Sequence, residues 1–144
     1  MLTSTPVISC PDFTKPFMIQ CDASNKGIGA ILCQNIGNME RPIAYLSQKL
    51  NEREQRYSTS ERELLSIVYA IETFRPYVKG VKFTVVTDHS ALKMLDKMKD
   101  PHGRLARWTM KLQQFSFDII HKPGKSNTAP ARYSEQAVEG AHHP

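Results

Sequence analysis

Two stretches of the chain have the apolar pattern of a β-strand and carry an aspartate at or near their C-terminal end. In residues 16–24, Phe, Ile and Cys alternate with Met, Gln and Asp, so a β-strand places Asp22 near its C-terminal tip and on its less apolar face. Residues 82–88 are rich in β-branched and aromatic side chains and end at Asp88. The pattern predicts two strands that each deliver a carboxylate to one end.

Between these strands the apolar positions change to a helical spacing. The stretch from about Ser60 to Phe74 repeats apolar residues with the i, i+3, i+4, i+7 period of one buried helix face. Glu63 lies four positions before Ile67, at the margin of that face, and Pro76 ends or kinks the helix. A carboxylate at this margin points along the side that packs on the sheet.

A second interpretation of Glu63 is that it caps the helix. Ser60 and Glu63 have the Ser-x-x-Glu spacing of a capping box, which is a common helix start. Ser58 and Glu61 have the same spacing, so the cap does not require Glu63. Both interpretations stay open on the residues alone.

The order strand, helix, strand brings the three carboxylates together. A strand, crossover helix, strand connection normally makes the two strands parallel, so the ends carrying Asp22 and Asp88 meet at one edge of the sheet. Open α/β sheets place their sites at that edge. Carboxylates gathered there, with Glu63 beside them, repel one another unless they share cations, and hard divalent ions prefer oxygen ligands. The residues therefore predict a carboxylate metal site.

The other predicted elements complete an α/β domain. Residues 27–33 and 42–46 have the composition of two further strands, and their short connections predict an antiparallel meander with the first strand. Residues 103–114 form a second predicted helix, and residues 115–121 a last strand.

One domain accounts for the whole chain. A length of 144 residues with 40% hydrophobic content is sufficient to bury a core. We expect residues 1–15 to be an extended linker that does not pack, residues 16–134 to be the folded domain, and residues 135–144 to be a disordered tail.

The charge balance favours a polyanionic partner. The formal net charge is +5, and the excess of Lys and Arg lies in the second half of the chain. The helix predicted at 103–114 carries Arg104, Arg107 and Lys111 on one side and Trp108 on another. This basic stripe is typical of a solvated surface helix, and it is also typical of a nucleic-acid contact.

The cysteines and the apolar runs indicate an intracellular, cytoplasmic protein. Cys10, Cys21 and Cys33 have neither metal-type nor paired spacing, and an odd number favours reduced thiols. No apolar run approaches membrane-spanning length and no signal peptide opens the chain, so we expect no membrane partner.

The chain also resembles a known family in an ordered series of short motifs. The matching stretches lie at residues 11–17, 22–24, 27–30, 42–45, 61–65, 74–75, 87–89, 107–108 and 123–127. Each motif is weak alone, whereas the ordered set is specific. By these motifs the chain is similar to the ribonuclease H domain of Ty3/gypsy-type long-terminal-repeat retrotransposon polyproteins, which follows the reverse transcriptase in those proteins.

The resemblance implies a fold and an activity. The implied fold is RNase H-like, a mixed five-stranded sheet (an antiparallel meander plus parallel strands) with helices on both faces. The implied activity is endonucleolytic hydrolysis of the RNA strand of RNA/DNA hybrids during reverse transcription, with two Mg²⁺ ions for which Mn²⁺ substitutes. By position the resemblance assigns Asp22, Glu63 and Asp88 as catalytic metal ligands.

The resemblance also implies partners. A reverse transcriptase domain would precede this domain in the parent polyprotein, with residues 1–15 as the end of its connection, and a virus-like particle is a compatible setting. Proteins recognise hybrid duplexes through shape, 2′-hydroxyls and phosphates. We expect nucleic-acid contacts from Arg104, Arg107, Lys111, Lys125 and Asn127.

One position departs from the family pattern. The family's fourth acidic residue falls four positions after the Asn of the Pro-Gly-Lys-x-Asn stretch, and here that position is Ala131. A two-metal site has to neutralise two ions ~3.5–4 Å apart. The loss of one carboxylate is therefore expected to weaken the binding of one ion and to lower the cleavage activity.

Three functions are compatible with these residues. The first is an active or weakened hybrid-directed ribonuclease, which the three intact carboxylates favour. The second is a catalytically degenerate or domesticated domain that binds nucleic acid or protein, which Ala131 favours. The third is an accessory domain that supports a neighbouring polymerase. A hybrid-cleavage assay separates the first function from the other two.

Overall fold

The computed structural model describes residues 7–87 and 103–121, which form a mixed five-stranded sheet with the order β3-β2-β1-β4-β5. The strands are β1 (Met18–Ala23), β2 (Gly27–Ile36), β3 (Met39–Lys49), β4 (Lys82–Thr87) and β5 (Ser116–His121). The first three strands are antiparallel neighbours, and β4 is parallel to both β1 and β5. The predicted fold class, an antiparallel meander joined to parallel strands, is confirmed.

The helices in these two ranges are α1 (Glu52–Gln55), α2 (Thr59–Thr73), α3 (Arg75–Val78) and α4 (Gly103–Leu112). The capping residue of α2 is Ser58: its hydroxyl accepts the Glu61 N–H at 3.1 Å, and its own N–H donates to the Glu61 carboxylate at 2.9 Å. The capping interpretation of Glu63 is therefore wrong. As Pro76 predicts, α2 ends before it and the chain turns into α3. Among these helices, none is long and apolar enough to cross a membrane.

The core lies between the sheet and α2. Helix α2 packs across β1, β2 and β4. Ile19 of β1 and both Leu64 and Ile67 of α2 are completely buried there, as the strand and helix periods predict. On the opposite face, Ile31 and Tyr45 are 43% and 42% exposed. The expectation of helices on that second face falls outside the described residues.

Helix α4 lies beside α2. Its Trp108 is 7% exposed and packs edge to face on Tyr57, with ring centroids 5.9 Å apart. Leu112 is also buried, whereas Arg107 and Lys111 are exposed. The predicted separation of apolar and basic sides on this helix is confirmed.

The segment before β1 packs more closely than the sequence predicts. Val7 forms an isolated β-bridge with Ala44 of β3. The completely buried Gln34 accepts the Asp12 N–H at 3.0 Å and donates to the Asp12 and Lys15 carbonyls at 2.8 and 3.1 Å. A buried amide that satisfies backbone groups holds the segment onto β2. The expectation that this segment does not pack is therefore wrong for residues 7–15.

Candidate active site

Asp22 lies at the C-terminal end of β1 and is exposed. Its neighbour across the sheet in β2 is Gly29. On the other side, Gln20 pairs with Val86 of the parallel strand β4, so β1 and β4 run towards the same sheet edge. Asp88 directly follows the end of β4 in the sequence, and it lies outside the described residues.

Glu63 is the fifth residue of α2, and it is only 4% exposed. Its position on the helix side that packs on the sheet, predicted from the margin of the apolar face, accounts for this burial. Burying a carboxylate is unfavourable unless its surroundings compensate for the lost water, so a buried glutamate next to a sheet edge is a strong candidate for a functional group.

Glu63 of α2 acts electrostatically on Cys21, the residue before Asp22 in β1. Burial raises the pKa of its thiol, and the negative charge of Glu63 raises it further. A hydrogen bond with Ser66 acts in the opposite direction, and Asp22 adds a smaller increase. Glu63 on α2 therefore lies near the end of β1 that carries Asp22.

The donor chemistry of this pair fits a hard divalent cation. Carboxylate oxygens are the ligands that Mg²⁺ prefers, and Asp22 and Glu63 supply them from a strand and a helix. Within residues 7–87 and 103–121, no three His, Cys, Asp or Glu side chains are arranged to hold a metal ion. Because Asp88 lies outside these ranges, its assignment as the third ligand stays a prediction.

A cavity of about 410 Å³ opens beside Asp22, between the β1–β2 turn and the end of β3. Its lining includes Lys26 and Lys49, both exposed, so two cations flank the carboxylate. Gly27 allows the backbones to approach here, since a Cβ at this position would lie 3.2 Å from the Gln48 carbonyl oxygen. The cavity places two basic side chains on the same lining as Asp22.

The predicted basic stripe divides into two parts. The Arg104 guanidinium donates to the Glu61 carboxylate at 2.7 Å and lies 4.2 Å from the centre of the Tyr57 ring. Arg107 and Lys111 are exposed one turn apart on α4. The predicted contacts of Arg104, Arg107 and Lys111 with nucleic acid stay a prediction. Lys125, Asn127 and Ala131 lie outside the described residues.

Sequence reasoning missed three basic residues near the carboxylates. Lys26 and Lys49 are far apart in the chain, and only the hairpin register brings them to one cavity. The third is Arg62, whose Nη2 donates to Asn25 Oδ1 in the β1–β2 turn at 3.0 Å. Its place directly before Glu63 in the Glu-Arg-Glu motif was the sequence signal that could have identified it.

Comparison with known families decides the classification. The family model described as "RNase H-like domain found in reverse transcriptase" matches residues 12–115. The chain belongs to this RNase H-like family. The family predicted from the ordered motifs is therefore confirmed.

The relatives of this RNase H-like domain are retroelement polyproteins. The chain is 38% identical over 143 residues to the Retrovirus-related Pol polyprotein from transposon 297 and 36% identical over 131 residues to that from transposon gypsy, both of Drosophila melanogaster. It is 34% identical over 131 residues to the Transposon Tf2-3 polyprotein of Schizosaccharomyces pombe. These matches cover 99%, 90% and 88% of the chain but only 13%, 12% and 10% of the relatives.

Solved structures show the same fold. The foamy viral protease-reverse transcriptase in complex with dsDNA matches the RNase H-like domain with a TM-score of 0.64 at 18% identity, over 82% of this chain and 25% of that one. The same enzyme in complex with an RNA/DNA hybrid matches with a TM-score of 0.60 at 18% identity, over 83% and 17% of the two chains.

Proposed function

We propose that this RNase H-like domain is an endonuclease that hydrolyses the RNA strand of RNA/DNA hybrids during reverse transcription. The observation that carries the proposal is that Asp22 lies at the C-terminal end of β1, where β1 and β4 run side by side, and that Glu63 is buried on the helix that packs on β1. Two carboxylates from separate elements at such an edge are the protein part of a metal-dependent phosphodiesterase site.

Asp22, Glu63 and Asp88 would hold the divalent ions. When bound, two Mg²⁺ ions activate a water molecule and stabilise the charge that develops on the leaving 3′ oxygen, and Mn²⁺ supplies the same chemistry. The chain contributes the positions of the carboxylates. Glu63 is buried on the side of α2 that packs on the sheet, and Asp22 is held in β1 by its pairing with Gly29 of β2.

Lysine and arginine side chains would position the hybrid through its phosphates. Lys26 and Lys49 flank the cavity beside Asp22, and Arg107 and Lys111 form an exposed basic pair on α4. Phosphate contacts fix the position of a duplex without selecting its sequence. We therefore expect hybrid affinity that falls steeply with salt and varies little with base sequence.

The second candidate is a domain that binds hybrid without cleaving it. Ala131, at the position of the family's fourth acidic residue, is the observation that favours it. Because the relatives are Pol polyproteins, we place either function beside a reverse transcriptase domain in a cytoplasmic parent polyprotein.

The experiment compares the 144-residue chain with Glu63→Gln on a hybrid whose RNA strand carries an end label, in Mg²⁺ and in Mn²⁺. Glu72→Gln is the matched control, because Glu72 lies on the same helix and is partly exposed. We expect the wild type and the control to cut the RNA of the hybrid, and Glu63→Gln to bind it without cutting. Binding without cleavage by all three proteins would instead support the second candidate.

A further inference from the structure

The guanidinium group of Arg62 joins three segments around the candidate active site. Its Nη1 donates to the backbone carbonyls of Gln55 (3.3 Å), the last residue of α1, and of Tyr57, in the connection from α1 to α2. Its Nη2 donates to Asn25 Oδ1 at 3.0 Å and to Thr59 Oγ1 at 3.4 Å. Arg62 thus links α2 both to the preceding loop and to the turn between β1 and β2.

Asn25 lies in the turn that begins directly after β1. Ser24 closes this turn, because its hydroxyl accepts the N–H groups of Lys26 and Gly27 at 3.3 and 3.1 Å and its own N–H donates to the Gly27 carbonyl at 2.8 Å. Side-chain and backbone hydrogen bonds therefore make the turn a compact unit. A contact to Asn25 holds that unit, and with it the end of β1, against the helix.

Arg62 also directly precedes Glu63 on α2. Successive helical residues point about 100° apart, so Arg62 reaches the turn while Glu63 stays buried against the sheet. One residue therefore holds the turn after Asp22 and lies next to the other carboxylate.

We propose that Arg62 is a positioning residue that fixes the distance between Asp22 and Glu63. This inference rests on the proposed function, because a two-cation site requires carboxylates held to within about 0.5 Å. Within the described residues, the guanidinium forms four hydrogen bonds, all to protein acceptors, and these contacts give Arg62 a role in geometry.

The contact requires arginine and not merely a positive charge. A guanidinium presents its donors on a rigid planar fork and bonds several acceptors at once, whereas a lysine ammonium is a compact point charge. Arg62→Lys is therefore expected to lose the link between Asn25 and the α1–α2 connection. Asn25→Asp keeps the acceptor oxygen and is expected to preserve the link.

The test measures kcat, KM for hybrid, and the Mg²⁺ concentration that gives half of the metal-induced rise in melting temperature. We expect Arg62→Met and Arg62→Lys to lower kcat about ten- to hundredfold, with KM within about threefold of wild type, and to need more Mg²⁺. Asn25→Ala should act in the same direction and Asn25→Asp should stay near wild type. Arg56→Met, an exposed arginine in the α1–α2 connection, is the control.

Amide hydrogen exchange separates this inference from the proposed function. Loss of the link should speed exchange of the Lys26 and Gly27 amides in Arg62→Met and Asn25→Ala, but not in Arg56→Met. A wild type that neither cleaves hybrid nor responds to Mg²⁺ contradicts the proposed function, and the exchange rates still decide on the link. Unchanged exchange, or wild-type kcat and Mg²⁺ response in Arg62→Lys, would overturn the positioning role.

Discussion

Replacing Arg104 with Met is expected to destabilise the fold more than it weakens hybrid binding. The ion pair with Glu61 (2.7 Å) joins side chains that are 37% and 19% exposed, and such partly screened pairs contribute roughly 0.5–1 kcal/mol. The guanidinium 4.2 Å from the Tyr57 ring centre adds about 0.5–1 kcal/mol. Met keeps the apolar stem, and Glu61 keeps its bond from Ser58, so the expected loss is ~1–2 kcal/mol.

For a domain of this size, a loss of that magnitude lowers the melting temperature by about 3–6 °C. Circular-dichroism melts and urea titrations measure the loss, and fluorescence anisotropy measures affinity for a labelled hybrid. Arg107→Met is the control, because Arg107 is exposed on the same helix. We expect it to change stability by less than about 0.5 kcal/mol and to weaken binding. If Arg104→Met matches wild-type stability and weakens binding as much as the control, Arg104 contacts the nucleic acid instead.

Three further predictions concern other parts of the molecule. Tyr69→Phe removes the 2.8 Å bond to buried Glu54, so urea unfolding should show a loss of about 1–2 kcal/mol. Burial and Glu54 raise the Tyr69 pKa to about 12. The contribution of the Tyr69 hydroxyl to the free energy of unfolding should therefore be full below pH ~10 and disappear between pH ~10 and 12, and Tyr69→Phe should lack this pH dependence. Mg²⁺ or Mn²⁺ should raise the melting temperature, and Asp22→Asn should abolish that rise; an equal rise in both proteins contradicts a metal site there. Ala131→Asp should increase cleavage most at low Mg²⁺, and an unchanged metal titration and rate would exclude a role for that position.

Local patterns were sufficient to predict the main elements. The two-residue period predicted β1 and β5, and β-branched and aromatic composition predicted β4. The helical period predicted α2 and α4 within a few residues of their observed bounds. The strands β2 and β3 extend beyond the predicted ranges because their pairing continues to the turn at Gly37. Helix α1 was missed because one helical turn leaves no measurable period.

Tertiary contacts explain what the sequence did not predict. The burial of Glu63 followed from its place on the helix face, whereas the pairing of Arg104 with Glu61 joins residues 43 positions apart. The buried Gln34 similarly bonds backbone groups 22 and 19 positions away. No local period encodes such long-range polar contacts, so only the three-dimensional arrangement shows which basic residues have protein partners.

The end groups of the cleaved RNA test the central claim most directly. If water attacks the phosphate and the 3′ oxygen leaves, each cut produces a 5′-phosphate and a 3′-hydroxyl. Mass spectrometry of the RNA fragments from a defined hybrid identifies these ends. We predict 5′-phosphate and 3′-hydroxyl ends from the wild-type chain and no fragments from Glu63→Gln. Fragments with 2′,3′-cyclic phosphates, or wild-type amounts of fragment from Glu63→Gln, would contradict a nuclease site built on Asp22 and Glu63.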